Sequence, residues 1–220
     1  MTFTLMARDP TDGSLGIATA TGGPAVGGFV PHLLAGVGAV ITQGYSTSIP
    51  AAERGLSLLA EGRSAAAAVA ILQGEDRGSG WRQVAVMDAA GNSSGWTGEH
   101  NVASVFLRCE PDLVVAGNML VSALVGEAML QAFLANRRRG LAEALLAGLV
   151  AGQAAGGDIR GTLSAALKVR CEGGVPLDLR IDDGVRAVDV LGRLYRRIQA
   201  DREFQAFLGR LPTAADPHRH

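Results

Sequence analysis

The sequence predicts an α+β protein in which antiparallel sheets stack face to face with helices outside. Two observations carry this. The order of elements is strands, two helices, strands, two helices, strands and a last helix, which is not the strict β-α-β alternation of a parallel doubly wound sheet. The chain also enters a strand at once and turns back on it as a hairpin. With 220 residues, 48% of them hydrophobic and 19% charged, it is long enough to bury a sizeable core. One domain is expected over residues 1–210, with 211–220 as a flexible tail.

Thr2 to Arg8 and Leu15 to Thr21 read as the two hairpin strands, joined by the turn Pro10 to Gly13. A glycine-rich loop, Gly22 to Gly28, follows, and Gly36 to Gln43 is a short apolar strand. Pro50 suits the first turn of a helix to about Ala60, and Ser64 is a good N-cap for the next one. Arg82 to Asp88 and Ser93 to Thr97 form a second hairpin. Val102 to Leu107 and Leu113 to Ala116 extend the β block. Leu120 to Asn136 and Leu141 to Ala151 read as apolar helices, the second stopped by Gly156-Gly157. Leu163 to Cys171 and Leu177 to Asp182 are a strand pair. Arg186 to about Leu208 is a long helix whose apolar positions follow the helical period.

Several function classes are disfavoured. A formal charge of −1 and a pI near 6.4 give no footprint for nucleic acid or an anionic membrane. The run Arg137 to Arg139 falls at a helix end, where cations complement the dipole. Arg8 and Asp9 interrupt the first apolar stretch too early for a signal peptide, and apolar runs break before 18 residues, so neither a leader nor a membrane span is expected. Cys109 and Cys171 lack a CxxC partner and read as buried thiols of a cytoplasmic protein. Lys168 stands alone against nineteen arginines.

The tempting motifs fail on context. Gly91 to Gly95 matches G-x-S-x-G, yet it sits in a hairpin, not between a strand and a helix, and no well-placed histidine follows. Ala35 to Gly44 lacks the third glycine of a dinucleotide loop, and Gly22 to Gly28 lacks the lysine of a P-loop. His32, His100 and Cys109 have no metal-ligand spacing. Neither cofactor nor metal is expected. Asp158 and Arg160, set between glycines at a helix-to-strand junction, are either a turn with a local ion pair or a polar anchor at a sheet end. Thr42 and Gln43 end an apolar strand with polar side chains. Asn118 reads most simply as an N-cap, and alternatively as an oxyanion donor.

Thr2 is the residue with the most chemistry to offer. A threonine hydroxyl needs a base within reach. Removal of Met1, which a small second residue favours, would supply one: the freed α-amine, with a reference pKa of roughly 7.7–8.0. The β-methyl restricts χ1 and so limits the wandering of the hydroxyl. Against this, many chains begin Met-Thr and use the threonine for nothing.

The segments MTFTLMARDPTDGSLGIA, TGGPAVGGFVPH, AGVGAVITQ, ERGLSLLAEGRSA, RQVAVMDAAGN, AGNML, AGQAAGGDIRG and LRIDDG resemble the bacterial family called domain of unknown function 1028, grouped with the N-terminal nucleophile (Ntn) hydrolases. The resemblance runs from Thr2 to about Leu194. It implies a four-layer αββα sandwich, and it implies amide cleavage through Thr2 as nucleophile and base. Leu163 stands where that family often has glutamine, and Thr21-Gly22 where it often has Ser-Lys. On this reading Thr2 and Asn118 are catalytic, while Gln43, Asp158 and Arg160 bind a small-molecule or peptide amide. A homo-oligomer is possible. The alternative is a non-catalytic small-ligand-binding protein on the same scaffold. A purely structural subunit ranks below both, because long glycine loops at strand ends cost entropy.

Overall fold

The computed structural model describes residues 2–102, 104–213 and 216–220. The first hairpin is β1 (Thr2–Arg8) and β2 (Leu15–Thr21). Next come β3 (Pro31–Leu34), β4 (Gly38–Gly44), α1 (Ile49–Ala60) and α2 (Ala65–Glu75). Ser48 and Ser64 cap the two helices by accepting from the Ala51 and Ala67 amides. The middle of the chain forms β5 (Arg82–Asp88), β6 (Ser93–Thr97), β7 (Phe106–Glu110) and β8 (Leu113–Asn118). Then follow α3 (Leu124–Asn136), α4 (Leu141–Ala154), β9 (Ser164–Arg170), β10 (Leu177–Ile181), α5 (Ala187–Ala200) and α6 (Arg202–Leu208).

The strands make two antiparallel sheets, one of six in the order β10-β9-β2-β1-β8-β7 and one of four in the order β3-β4-β5-β6. Period-2 alternation sorts each strand between two layers. On β1, Phe3, Leu5 and Ala7 pack with Val125 and Met129 of α3 and Leu145 and Leu149 of α4. The other face of β1 turns Met6 toward the small sheet, with Ile17, Val114, Ile41, Ala85 and Met87. Val40, Val84 and Val86 face away from that interior and pack under α1 and α2. The layers are therefore helices, large sheet, small sheet, helices.

Five local expectations are corrected. Asn118 is no N-cap: it ends β8, and α3 begins only at Leu124. Between them Met119 takes a positive φ of 52°, and Leu120 bridges to Asp158 before the helix starts. β7 begins at Phe106, not Val102, because Ser104 has φ 63° and its carbonyl accepts from the Leu120 amide. The last helix breaks at Asp201, whose side chain caps α6 through the Phe204 amide. β3 was not expected, and the end of the glycine loop coils into a short 3₁₀ turn, Val26–Gly28.

Candidate active site

The interior between the sheets is apolar along most of its length and polar at one end. On β1 the inter-sheet face reads Thr2, Thr4, Met6; on β2 it reads Leu15, Ile17, Thr19, Thr21; on β8, Val114, Ala116, Asn118. The small sheet repeats the pattern, with Ala39, Ile41, Gln43 on β4 and Gln83, Ala85, Met87 on β5. Antiparallel register brings the polar ends together: Thr2 pairs with Thr21 on one side and Asn118 on the other, and Gln43 pairs with Gln83.

These side chains are buried and bonded across the sheets. Thr4 Oγ1 shares a hydrogen bond with Thr19 Oγ1 at 2.8 Å and donates to Gln43 Oε1 at 2.7 Å. Gln43 Nε2 donates to Gln83 Oε1 at 2.7 Å and reaches the Thr2 carbonyl at 3.5 Å. Gln83 Nε2 divides its two hydrogens among Thr97 Oγ1, the Phe106 carbonyl and the Gly117 carbonyl, at 2.9, 3.0 and 3.0 Å. Asn118 Nδ2 donates to Gln83 Oε1 at 3.4 Å, while its Oδ1 is buried without a partner. Gln83 was missed in the sequence because a glutamine inside RQVAVMD reads as one more strand residue.

Thr2 itself is 7% exposed. Its Oγ1 donates to Thr21 Oγ1 at 3.4 Å, and Arg160 Nη2 donates to the same Thr21 oxygen at 3.4 Å. Arg160 is held in turn by Asp158, whose carboxylate accepts the Arg160 amide at 2.8 Å, Arg160 Nη2 at 3.0 Å and the Gly22 amide. The loop carrying this pair turns through positive φ at Gly156, Gly157 and Gly161. Gly22 has to be glycine, since a Cβ there would lie 2.8 Å from Asp158 Oδ2 and from the Gly161 carbonyl. The expected removal of Met1 lies outside the described residues.

The structure thus brings Thr2, Asn118, Gln43, Asp158 and Arg160 to one end of the sandwich. Gln43 has both ends of its amide engaged within the protein. Thr42, on the opposite face, accepts from the Ser48 amide at 3.0 Å and so steadies the start of α1. A cavity of about 450 Å³ has Asp158, Arg160, Gln153 and Arg186 in its wall; Thr2 is not among its lining residues. A larger cavity, about 630 Å³, lies at the far end of β1 against Arg8, Asp112 and Arg138; there Arg8 pairs with Asp112 at 3.0 Å. Size alone would favour the larger one, but the hydroxyl and amide groups gather at the Thr2 end.

Lys168 lies along β9 opposite Ile17, away from that cluster. Burial pushes its ammonium pKa down and Asp178, at 3.7 Å, pulls it back up. Burial likewise lowers His32 and raises Cys109 to about 11. Cys109 and Cys171, expected to be buried, are both half-buried. Among the described residues no group of three or more His, Cys, Asp or Glu is placed to hold a metal ion, and no helix is long and apolar enough to cross a membrane.

Two antiparallel sheets face to face, covered by helices on both outer sides, define the class as a four-layer αββα sandwich. The chain belongs to DUF1028, a family of unknown function, whose model matches residues 2–191. The crystal structure of a DUF1028 protein from Silicibacter pomeroyi is similar at 32% identity and a TM-score of 0.91, covering 99% of this chain and 98% of that one. Anbu (ancestral beta-subunit) from Yersinia bercovieri is a remote likeness, at 11% identity and a TM-score of 0.39, with 96% and 98% covered. Comparison with curated proteins gave no match.

Proposed function

We propose that this protein is an amidohydrolase of the N-terminal nucleophile type, cutting a small amide or peptide bond with Thr2. After loss of Met1, the Thr2 α-amine takes the proton from Oγ1 as that oxygen attacks the carbonyl carbon. The amine then hands the proton to the leaving nitrogen, an ester forms on Oγ1, and water hydrolyses it to regenerate the hydroxyl. Burial disfavours the protonated amine and so keeps the base ready. Asn118 is the register partner of Thr2 on β8; in this mechanism its Oδ1 accepts one hydrogen of the freed amine and directs the lone pair toward Oγ1. Arg160, steadied by Asp158, orients Thr21 against the nucleophile and faces a substrate carboxylate from the adjoining cavity. Gln43 acts through the Thr2 carbonyl as a positioning residue.

The observation that carries this reading is the unpartnered Oδ1 of Asn118, wholly buried and in register with Thr2. Most buried polar atoms are paired, so an open acceptor at this position calls for a partner. The test combines intact mass with a panel of small amides. A chain that starts at Thr2 should release amine, Thr2→Ser should retain part of the rate, and Thr2→Ala should lose it by at least about 10³-fold. A native protein that keeps Met1 and still turns over, or a Thr2→Ala variant at full rate, overturns the mechanism.

A second reading, a protein that binds a small ligand without consuming it, is favoured by one observation: the cavity beside Asp158 does not include Thr2 in its wall. It predicts stoichiometric binding that Thr2→Ala leaves unchanged, with no product.

A further inference from the structure

Beyond Gln43 and Gln83 the two central strands of the small sheet end in exposed aromatic rings. Tyr45 lies two residues past Gln43 and Trp81 two residues before Gln83, which are themselves a register pair. The Tyr45 and Trp81 rings meet with centroids 5.0 Å apart, and the Trp81 and His100 rings with centroids 4.4 Å apart. Large apolar rings are expected to be covered, yet Tyr45 is 61% exposed and Trp81 42%.

The backbone beneath these rings is fixed. Asn101 Oδ1 accepts from the Tyr45 amide at 3.0 Å, and Asn101 Nδ2 donates to the Arg82 and Gly98 carbonyls at 2.9 and 3.0 Å. The Ser46 amide bonds the Trp81 carbonyl at 3.3 Å, and the His100 amide bonds the Gly80 carbonyl at 2.8 Å. Gly44 has φ 122°, and a Cβ there would lie 2.6 Å from the Trp81 carbonyl. The three rings therefore present a preorganised surface, so a ligand meets it with little ordering cost.

We infer that Tyr45, Trp81 and His100 form an aryl-binding subsite that takes a planar, π-faced group of the substrate amide. This rests on the function proposed above for Thr2. The spacing suits it: two residues of extended chain span about 7 Å, and Gln43 touches the Thr2 carbonyl. An aryl group a few bonds from the cleaved carbonyl therefore reaches the rings while the carbonyl sits at Thr2. Ring faces recognise other rings by offset or tilted stacking, a geometry that an aliphatic group of equal bulk does not reproduce.

The test uses the full chain carrying Thr2→Ala, which holds an amide without turning it over. It is titrated with N-phenylacetylglycinamide, N-cyclohexylacetylglycinamide and N-acetylglycinamide, read by calorimetry and by tryptophan fluorescence. Trp96 is 7% exposed, so a ligand-dependent change in emission reports Trp81. The phenylacetyl compound should bind about tenfold tighter than the cyclohexyl one. Trp81→Ala or Tyr45→Ala should erase that preference while leaving acetyl binding unchanged. Equal affinity for the phenyl and cyclohexyl compounds, or a preference that survives Trp81→Ala, overturns the inference. So does an emission change that follows protein concentration instead of ligand, because the rings are then covered by a second copy. The two readings fail separately: aryl preference without hydrolysis by the unsubstituted chain sinks the Thr2 mechanism alone, and hydrolysis indifferent to aryl groups sinks the subsite alone.

Discussion

Gln83→Glu changes one buried atom and tests the cross-sheet network directly. Gln83 is fully buried, and its Nε2 lies 3.0 Å from each of two backbone carbonyls, Phe106 and Gly117. In the variant an oxygen faces those carbonyls. An ionised carboxylate there would be repelled and desolvated, so the introduced carboxyl keeps its proton and donates it to one of them. Its folded pKa then stands above the unfolded value of about 4.3. The folded state holds a proton that the unfolded state has released, so stability is full below about pH 4.3 and falls as pH rises toward the folded pKa. At about 1.4 kcal/mol per unit, the variant should lose about 2.7 kcal/mol against the unsubstituted protein between pH 5 and pH 7. One lost hydrogen bond adds about 1 kcal/mol at every pH. Urea unfolding of both proteins across pH 4.5–8 measures the gap. A gap that stays constant with pH would show that water reaches the site and would refute the buried network.

Two further outcomes follow from local geometry. Gly22→Ala places a methyl 2.8 Å from Asp158 Oδ2 and from the Gly161 carbonyl, so the two loops must part; the urea midpoint should drop by the equivalent of about 1–3 kcal/mol, and an unchanged midpoint would mean the loops are not in contact. Burial pushes the Cys109 thiol up to about 11, leaving about one part in a thousand as thiolate at pH 8. Iodoacetamide should therefore modify Cys109 slowly in the native protein, with a rate that climbs about tenfold per pH unit; mass mapping that finds it labelled fast at pH 8 contradicts this.

The layers were legible in the sequence because alternation is a local signal. TFTLMAR and LGIATAT show their apolar faces without help, and Ser48 and Ser64 mark their helices by side-chain caps. What failed was set by partners distant in sequence. Four residues starting with proline, PHLL, make an edge strand only because β4 lies beside them. Asn118 looked like a cap because β8 ends there, and nothing local says that Leu120 must first meet Asp158. The site follows the same division. Thr2, Gln43, Asn118, Asp158 and Arg160 stood out as polar groups at element ends, whereas Gln83 became visible only through its register with Gln43. The missed signal is present all the same: on each of five strands, the face turned to the other sheet is apolar except toward one end.

That asymmetry bears on what the site is for. An inter-sheet layer apolar throughout would avoid the cost of desolvating hydroxyls and amides, which hydrogen bonds only offset. Here eight such side chains, Thr2, Thr4, Thr19, Thr21, Gln43, Gln83, Asn118 and Ser164, are buried. Seven have hydrogen bonds that account for their placement, down to Ser164, which donates to the Gly23 carbonyl at 2.6 Å and accepts from the Val26 amide at 3.1 Å. The exception is Asn118, whose Oδ1 is one of three buried side-chain atoms left without a partner among the described residues; the other two, on Arg8 and Gln153, belong to other regions. A network built only to tie the sheets together would be most stable with that acceptor filled. An acceptor kept open next to the start of the central strand is what a free amine at Thr2 would require, since an amine carries hydrogens that a peptide nitrogen lacks. Asn118→Leu therefore separates the alternatives: if the oxygen serves catalysis, the variant loses amide turnover while its urea midpoint holds within about 1 kcal/mol, because little bonding is lost.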